Sequence, residues 1–263
     1  MNPGLAGNEG SSEREPSSGA AAHYARHLAP VYAWMAGGAQ AALRTGAAEI
    51  QALGLPASPV DLVVDLGAGF GTHAIPLARA GARVLALDSS PLLLQQLTEL
   101  AGDMRVQCVQ DDLRAFRKHL QEAPTAILCM GDTLTHLDAQ GDVEALAVDA
   151  AASLAPGGRL VLAFRDYTVA RQGDDRFIPV RADQQRILTC LLEFEEAHVV
   201  VHDLLHERTV AGWRTAVSHY RKLRLAPAWV LRTLGAAGFE VRSEIAGNGM
   251  VRVVATQPAR KQP

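Results

Sequence analysis

Cysteine is scarce in this chain: three in 263 residues, at positions 108, 129 and 190. Thiols so few and so scattered make neither a disulfide framework nor a zinc site. Cys108 and Cys129 fall inside apolar runs, where a cysteine serves as a small hydrophobe. A surplus of basic charge is also missing. Lys and Arg number 25 against 28 Asp and Glu, a net charge of −3, which offers no footprint for a nucleic-acid backbone. No apolar run is long enough to span a bilayer. Residues 1–22, rich in Gly, Ser, Ala, Glu and Pro, lack the apolar core of a signal peptide and read as a disordered tail. No internal repeat is visible. What is present, 48% apolar residues with near-balanced charge, suits a full core and one domain with an insertion.

The informative stretch runs from Val60 to Leu87. Val60-Asp61-Leu62-Val63-Val64-Asp65-Leu66 is a short apolar run of the kind that makes a buried parallel strand. It enters Gly67-Ala68-Gly69-Phe70-Gly71, then Thr72 to Arg79 with helical apolar spacing, then a second strand, Ala82 to Leu87, with Asp88 at its tip. Glycines at a strand-to-helix turn let backbone approach a ligand and present amides at the helix start. An acid at the tip of the neighbouring strand can accept both ribose hydroxyls of an adenosine. A dinucleotide fingerprint wants Gly-x-Gly-x-x-Gly, whereas here the glycines fall at 67, 69 and 71, one residue too tight. Asp65 stands two residues before the first of them. It would repel a pyrophosphate and suit a ligand bearing an ammonium or sulfonium.

Val64-Asp65-Leu66-Gly67-Ala68-Gly69-Phe70-Gly71, with Asp88 at its distance, resembles motif I of the class I S-adenosylmethionine-dependent methyltransferases. The resemblance implies an α/β, Rossmann-like fold. Its seven-stranded, mostly parallel sheet would have the order 3-2-1-4-5-7-6, with the last strand antiparallel and helices on both faces. Arg105 to Val109 reads as strand three, Thr125 to Cys129 as strand four, and Ala155-Pro156-Gly157-Gly158 as the turn into strand five, ending at Phe164. Leu225-Ala226-Pro227 starts the last helix, which leads to strand six near Phe239-Glu240-Val241; Gly249 to Thr256 is strand seven. The methyltransferase domain is then 23–168 and 226–257, with 169–225 inserted after strand five as an antiparallel β flap. The resemblance implies S-adenosyl-L-methionine as cofactor. Asp65, Gly67, Ala68 and Gly69 would hold its methionyl part, and Asp88 its ribose with Ser89 beside it. Asp112 (or Asp111) and Leu113 would read adenine, and Met130 and Gly131 would line the sulfonium.

Within the flap, Gln185 to Glu195, Val199 to Thr209 and Trp213 to Leu225 read as three strands, with a helix over His198 to Leu205 as the alternative. Methyl transfer is an in-line displacement, so the protein mainly aligns the partners, excludes water and, for some acceptors, removes a proton. His136, after strand four, is a candidate general base or acceptor ligand, or else a brace for its loop. Arg165, leaving strand five, is placed to hold an acceptor carboxylate or phosphate bidentately, or to pair with Asp166 and pin the flap. Tyr24 and Tyr32 come from an N-terminal segment that closes over the cofactor in relatives, where an aromatic face can cover a sulfonium. Trp34 reads as packing. His198, His202 and His206 lie too far apart on a strand to share one ion, so they read as a solvated face and no metal site is expected. Cys129-Met130-Gly131-Asp132 is not the Asn/Asp-Pro-Pro-Tyr/Phe signature of enzymes acting on base or glutamine amino groups. The expected acceptor is a small molecule with an N, O or S nucleophile, methylated in the cytoplasm with no nucleic-acid or membrane partner; oligomeric state stays open. Two alternatives stand beside this reading: a non-catalytic S-adenosylmethionine binder, and a nucleotide-dependent oxidoreductase.

Overall fold

The computed structural model describes residues 27–55, 58–245 and 249–259. The tail over 1–22 and Tyr24 lie outside them. Eleven strands are described: β1 (Leu62–Leu66), β2 (Arg83–Asp88), β3 (Val106–Gln110), β4 (Ala126–Cys129), β5 (Arg159–Phe164), β6 (Phe177–Ala182), β7 (Arg186–Phe194), β8 (His198–Thr209), β9 (Gly212–Leu223), β10 (Glu240–Ile245) and β11 (Val251–Thr256). Seven form one sheet in the order β10-β11-β5-β4-β1-β2-β3. Strands β1 to β5 run parallel, and β11 is antiparallel to both β5 and β10. This is the expected order, with the four insert strands counted between the family's fifth and sixth.

The alternation along β1, β2 and β4 explains why helices cover both faces. Val63, Val84, Ala86 and Leu128 point to one face, where they pack on Leu43 and Ile50 of α2 (Ala39–Leu53), Ile75 and Leu77 of α3 (Ala74–Arg79) and Leu97 of α4 (Pro91–Ala101). Val64, Leu85 and Ile127 point to the other, against Val143, Leu146 and Ala150 of α5 (Gln140–Ser153) and Val230 and Leu234 of α6 (Pro227–Ala236). Strands buried on both faces read as continuous apolar runs, as β1 does. A short helix, α1 (Tyr32–Met35), precedes α2. The start of α4 is set locally: Pro91 occupies its first turn, and the Ser90 hydroxyl accepts a hydrogen bond from the Leu93 amide at 3.4 Å. Among the described residues no helix is long and apolar enough to cross a membrane.

The insertion is a second, antiparallel sheet of four strands in the order β6-β7-β8-β9, one more than the sequence reading found. The missed strand, β6, carries Pro179, shows almost no buried residue and has a register shift between Pro179 and Arg181. An edge strand tolerates all three, and each erases the alternating signal. The helical alternative for 198–205 is excluded. In β8, Val199, Val201, Asp203 and Leu205 are buried, while His198, His202 and His206 share the half-exposed face. His202 meets Glu193 at 2.7 Å and His206 meets Thr215 at 2.8 Å. The buried face packs on Leu28, Val31 and Tyr167. Arg224, just past β9, fastens the insertion: its guanidinium donates to the carbonyls of Tyr167 (2.9 Å), Thr168 (2.7 Å), Glu195 (2.5 Å) and Glu196 (3.2 Å). Trp34 ties α1 to the same sheet through its indole N–H to Asp183 at 2.5 Å, with Arg181 and Arg186 over its ring.

Candidate active site

The carboxyl ends of β1, β2 and β3 open into a cleft, where ligands bind in open parallel sheets. The turn after β1 is hooked to β2, because the Gly67 and Ala68 amides both donate to the Leu87 carbonyl, at 2.8 and 2.9 Å. Gly67 is required here twice over: its φ is +71°, and an added Cβ would collide with the Thr133 side chain. Asp88 closes the arrangement, accepting from the Gly69 amide and the Ser90 amide, each at 2.8 Å. Asp65 is 1% exposed, and its Oδ2 has no hydrogen-bond partner. Burial pushes its carboxyl up to about 6 against the pull of His73, and Asp88 adds to the rise. Burial likewise raises Asp88.

The cleft is lined by Gly67, Gly69, Asp88, Ser89, Asp111, Asp112, Leu113, Gly131 and His136. It adjoins a second hollow bounded by Ala68, Met130, Glu49, His73 and Arg252. Thus ten sequence-predicted cofactor positions converge: nine line these two hollows, and Asp65 lies buried behind the turn. Asp112 and Asp111 are both present, each already engaged. Asp112 binds the Arg114 guanidinium at 2.6 Å, and Asp111 meets His119 at 2.8 Å.

A third cavity, of about 350 Å³, lies between the ends of β4 and β5 and the inner face of the insertion. Its wall carries Asp132, which has a φ of +74°, the one positive φ outside glycine among the described residues. Asp132 Oδ1 accepts from the Arg165 amide at 2.8 Å; Oδ2 accepts from the Tyr167 hydroxyl at 3.0 Å and from the Lys222 ammonium. Lys222 is 8% exposed and also sits over the rings of Tyr167 and Tyr220, 5.8 and 5.7 Å from their centroids. Burial works against both charges of the pair. It would raise the Asp132 carboxyl, but Lys222 outweighs it and holds Asp132 below the usual carboxylate range. It would lower Lys222, but Asp132 outweighs it and holds the ammonium above its ordinary value. The Tyr167 phenol is pushed up to about 12, by burial foremost. Tyr32 and Gly131 line all three cavities and so mark where they meet.

Residues 63–158 match the model of the family described as a methyltransferase domain. That segment, from β1 to the turn before β5, is similar to a methyltransferase domain. Over 107 residues the chain is 33% identical to a glycine/sarcosine N-methyltransferase of Aphanothece halophytica, covering 40% of each chain. It is 36% identical over 116 residues to a ubiquinone biosynthesis O-methyltransferase of Xylella fastidiosa, covering 41% of this chain and 43% of that one. The match therefore spans less than half the length of either relative. Among solved structures, the CcbJ methyltransferase of Streptomyces caelestis superposes with a TM-score of 0.72 at 22% identity, over 90% of this chain and 98% of the other. That likeness concerns the fold.

The sequence-predicted catalytic candidates separate in the structure. His136 lines the first cleft and stacks on Tyr220, centroids 5.3 Å apart. Arg165 lines the third cavity. The pairing of Arg165 with Asp166 is not formed: Asp166 accepts from the Thr168 amide and hydroxyl at 2.8 and 2.5 Å, and Arg224 does the fastening. Sequence reasoning missed the Asp132–Tyr167–Lys222 group. One signal was available, the period-2 spacing of Tyr220 and Lys222, which places both on the buried face of β9 opposite Val201 and Val199.

Proposed function

We propose that this chain transfers a methyl group from S-adenosylmethionine to a small-molecule acceptor, leaving S-adenosylhomocysteine. The observation that carries the reading is the pair of buried carboxylates around the glycine turn. Asp65 and Asp88 end neighbouring strands, both raised by burial, and one Asp65 oxygen is unpartnered. Such a pair favours a ligand that brings positive charge, as the cofactor's ammonium and sulfonium do. Gly67, Ala68 and Gly69 leave room for the methionyl part, Asp88 and Ser89 take the ribose, and Asp112 with Leu113 takes the adenine. Met130 and Gly131 border the sulfonium, with Tyr32 beside them. The bound cofactor supplies an electrophilic methyl group.

The third cavity takes the acceptor, whose nucleophile enters at Gly131 and Tyr32. Its apolar wall, including Leu28, Ile178, Leu192 and Val201, excludes water and holds the acceptor in line. Neither Lys222 nor Asp132 is suited to accept a proton near neutral pH, since one is held charged above its ordinary value and the other below. Where an acceptor must lose a proton, that role falls to His136. The relatives' names cover both N- and O-methylation, so an amine or a hydroxyl is the accepting group. Calorimetric titration with S-adenosylmethionine, S-adenosylhomocysteine and NAD tests the reading. Micromolar binding of the two adenosyl compounds without NAD is expected, followed by S-adenosylhomocysteine production with a panel of small amines and alcohols. Binding of neither adenosyl compound sinks it.

A further inference from the structure

The acceptor cavity holds three cations, Lys222, Arg165 and Arg171, and three carboxylates, Asp132, Asp166 and Asp203. Their charges balance, but their hydrogen-bonding capacities do not. The carboxylates are engaged inside the protein. Asp132 accepts from Arg165, Tyr167 and Lys222, Asp166 accepts from Thr168, and Asp203 accepts from the Cys190 thiol at 2.8 Å. The cations keep most of their donors. An ammonium has three N–H donors and a guanidinium five. Among the described residues Lys222 spends one, on Asp132, and turns the rest of its charge to two tyrosine rings. The guanidinium groups of Arg165 and Arg171 spend none there, although both line the cavity. A buried ammonium with unspent donors is costly unless something in the cavity completes it.

Building on the methyltransferase reading, we infer that the acceptor carries an anionic oxygen group, a carboxylate or a phosphate, bound by Lys222 at the inner wall and by Arg165 and Arg171 further along. These three are then specificity-determining residues that touch the acceptor. The chemistry favours oxyanions for two reasons. Planar guanidinium forks match carboxylate and phosphate oxygens bidentately, and an oxyanion meets more unspent donors in this cavity than a cationic ligand meets unspent acceptors.

The test uses the full chain saturated with S-adenosylhomocysteine and four probes of matched size: benzoate, phenyl phosphate, benzamide and benzyl alcohol. Ligand-observed NMR titration gives each affinity. Benzoate or phenyl phosphate, or both, should bind about tenfold tighter than the neutral probes, as expected for charge-assisted hydrogen bonds. Which anion binds assigns the group; both binding assigns the shared oxyanion chemistry. The double variant Arg165→Gln/Arg171→Gln, changed only at exposed positions, should lose most of that preference. Lys222→Met combined with Asp132→Asn, which removes the ion pair without stranding either charge, should lose the remainder. Equal binding of anions and neutral probes, no binding of any probe, or a preference that survives both double variants overturns the inference. A chain that fails to bind S-adenosylhomocysteine overturns the methyltransferase reading instead. The four probes, titrated on the cofactor-free chain, then judge the cavity by itself.

Discussion

Replacing Asp65 by asparagine gives the sharpest test of how this site stores its specificity. In the folded chain the Asp65 carboxyl is pushed from 3.8 up to about 6 by burial. A shift of about two units corresponds to about 3 kcal/mol. The sign follows from linkage: a carboxyl whose folded value is raised gives stability fully present below its unfolded pKa and lost as pH rises through the folded one. The wild-type chain therefore gives up about 3 kcal/mol between roughly pH 4 and pH 7 on account of this one group. The Asp65→Asn side chain cannot ionise and carries no such loss. It brings an amide N–H in place of the unpartnered oxygen, at a cost of about 1–2 kcal/mol. The variant should be slightly less stable than wild type near pH 4 and more stable near pH 7.5, the difference between the two proteins moving by about 3 kcal/mol across that window. Urea denaturation of both proteins at the two pH values measures it, and comparing variant with wild type cancels the acids that are not coupled to Asp65 as Asp88 is. At pH 7.5 the same variant should bind S-adenosylmethionine at least about tenfold more weakly, having lost a buried charge partner for the ammonium. A stability difference that stays constant between pH 4 and 7.5 refutes the electrostatic account of this position.

Three further outcomes are expected. Asp88→Ala removes both the proposed ribose acceptor and the anchor of the Gly69 amide, and calorimetry should show S-adenosylhomocysteine affinity reduced by about 2 kcal/mol or more; unchanged affinity would remove Asp88 from the cofactor site. Asp132→Asn strips the buried Lys222 of its counter-charge and should cost about 3–5 kcal/mol in urea denaturation, most of it regained when Lys222→Met is added. A single variant as stable as wild type contradicts the buried pair. Gly67→Ala forces a side chain into φ +71° and against Thr133, so its melting temperature should fall by several degrees, with part of the loss recovered by Thr133→Ala, since strain of this kind costs about 1–2 kcal/mol.

The proposed cofactor half of the molecule leaves a mark in the sequence because its residues are local. Asp65, Gly67, Gly69 and Asp88 lie within 24 consecutive residues, and the turn needs glycine at Gly67 for steric reasons that leave a mark in the sequence. The strands of the main sheet, buried on both faces, likewise announce themselves as apolar runs. The proposed acceptor half is assembled from distant pieces. Asp132 and Lys222 are 90 residues apart, and each looks like an ordinary surface residue until the insertion folds back over β4 and β5. The edge strand β6, with Pro179 and little burial, carries no periodic signal at all. The Arg224 clamp is equally invisible in sequence, since it acts wholly on backbone carbonyls, which every residue type presents.

That clamp has an implication for redesign. One guanidinium gathers the point where the chain leaves the main sheet, a turn of the insertion and the return strand, binding four carbonyl oxygens. The insertion thus departs and re-enters through a single fastened gate. A grafted module with a different inner lining needs to reproduce that gate, an arginine facing the exit carbonyls of Tyr167 and Thr168, together with a counter-charge for Asp132 and a partner for Trp34. Under the proposed function, acceptor choice becomes exchangeable while the glycine turn and its carboxylates stay untouched.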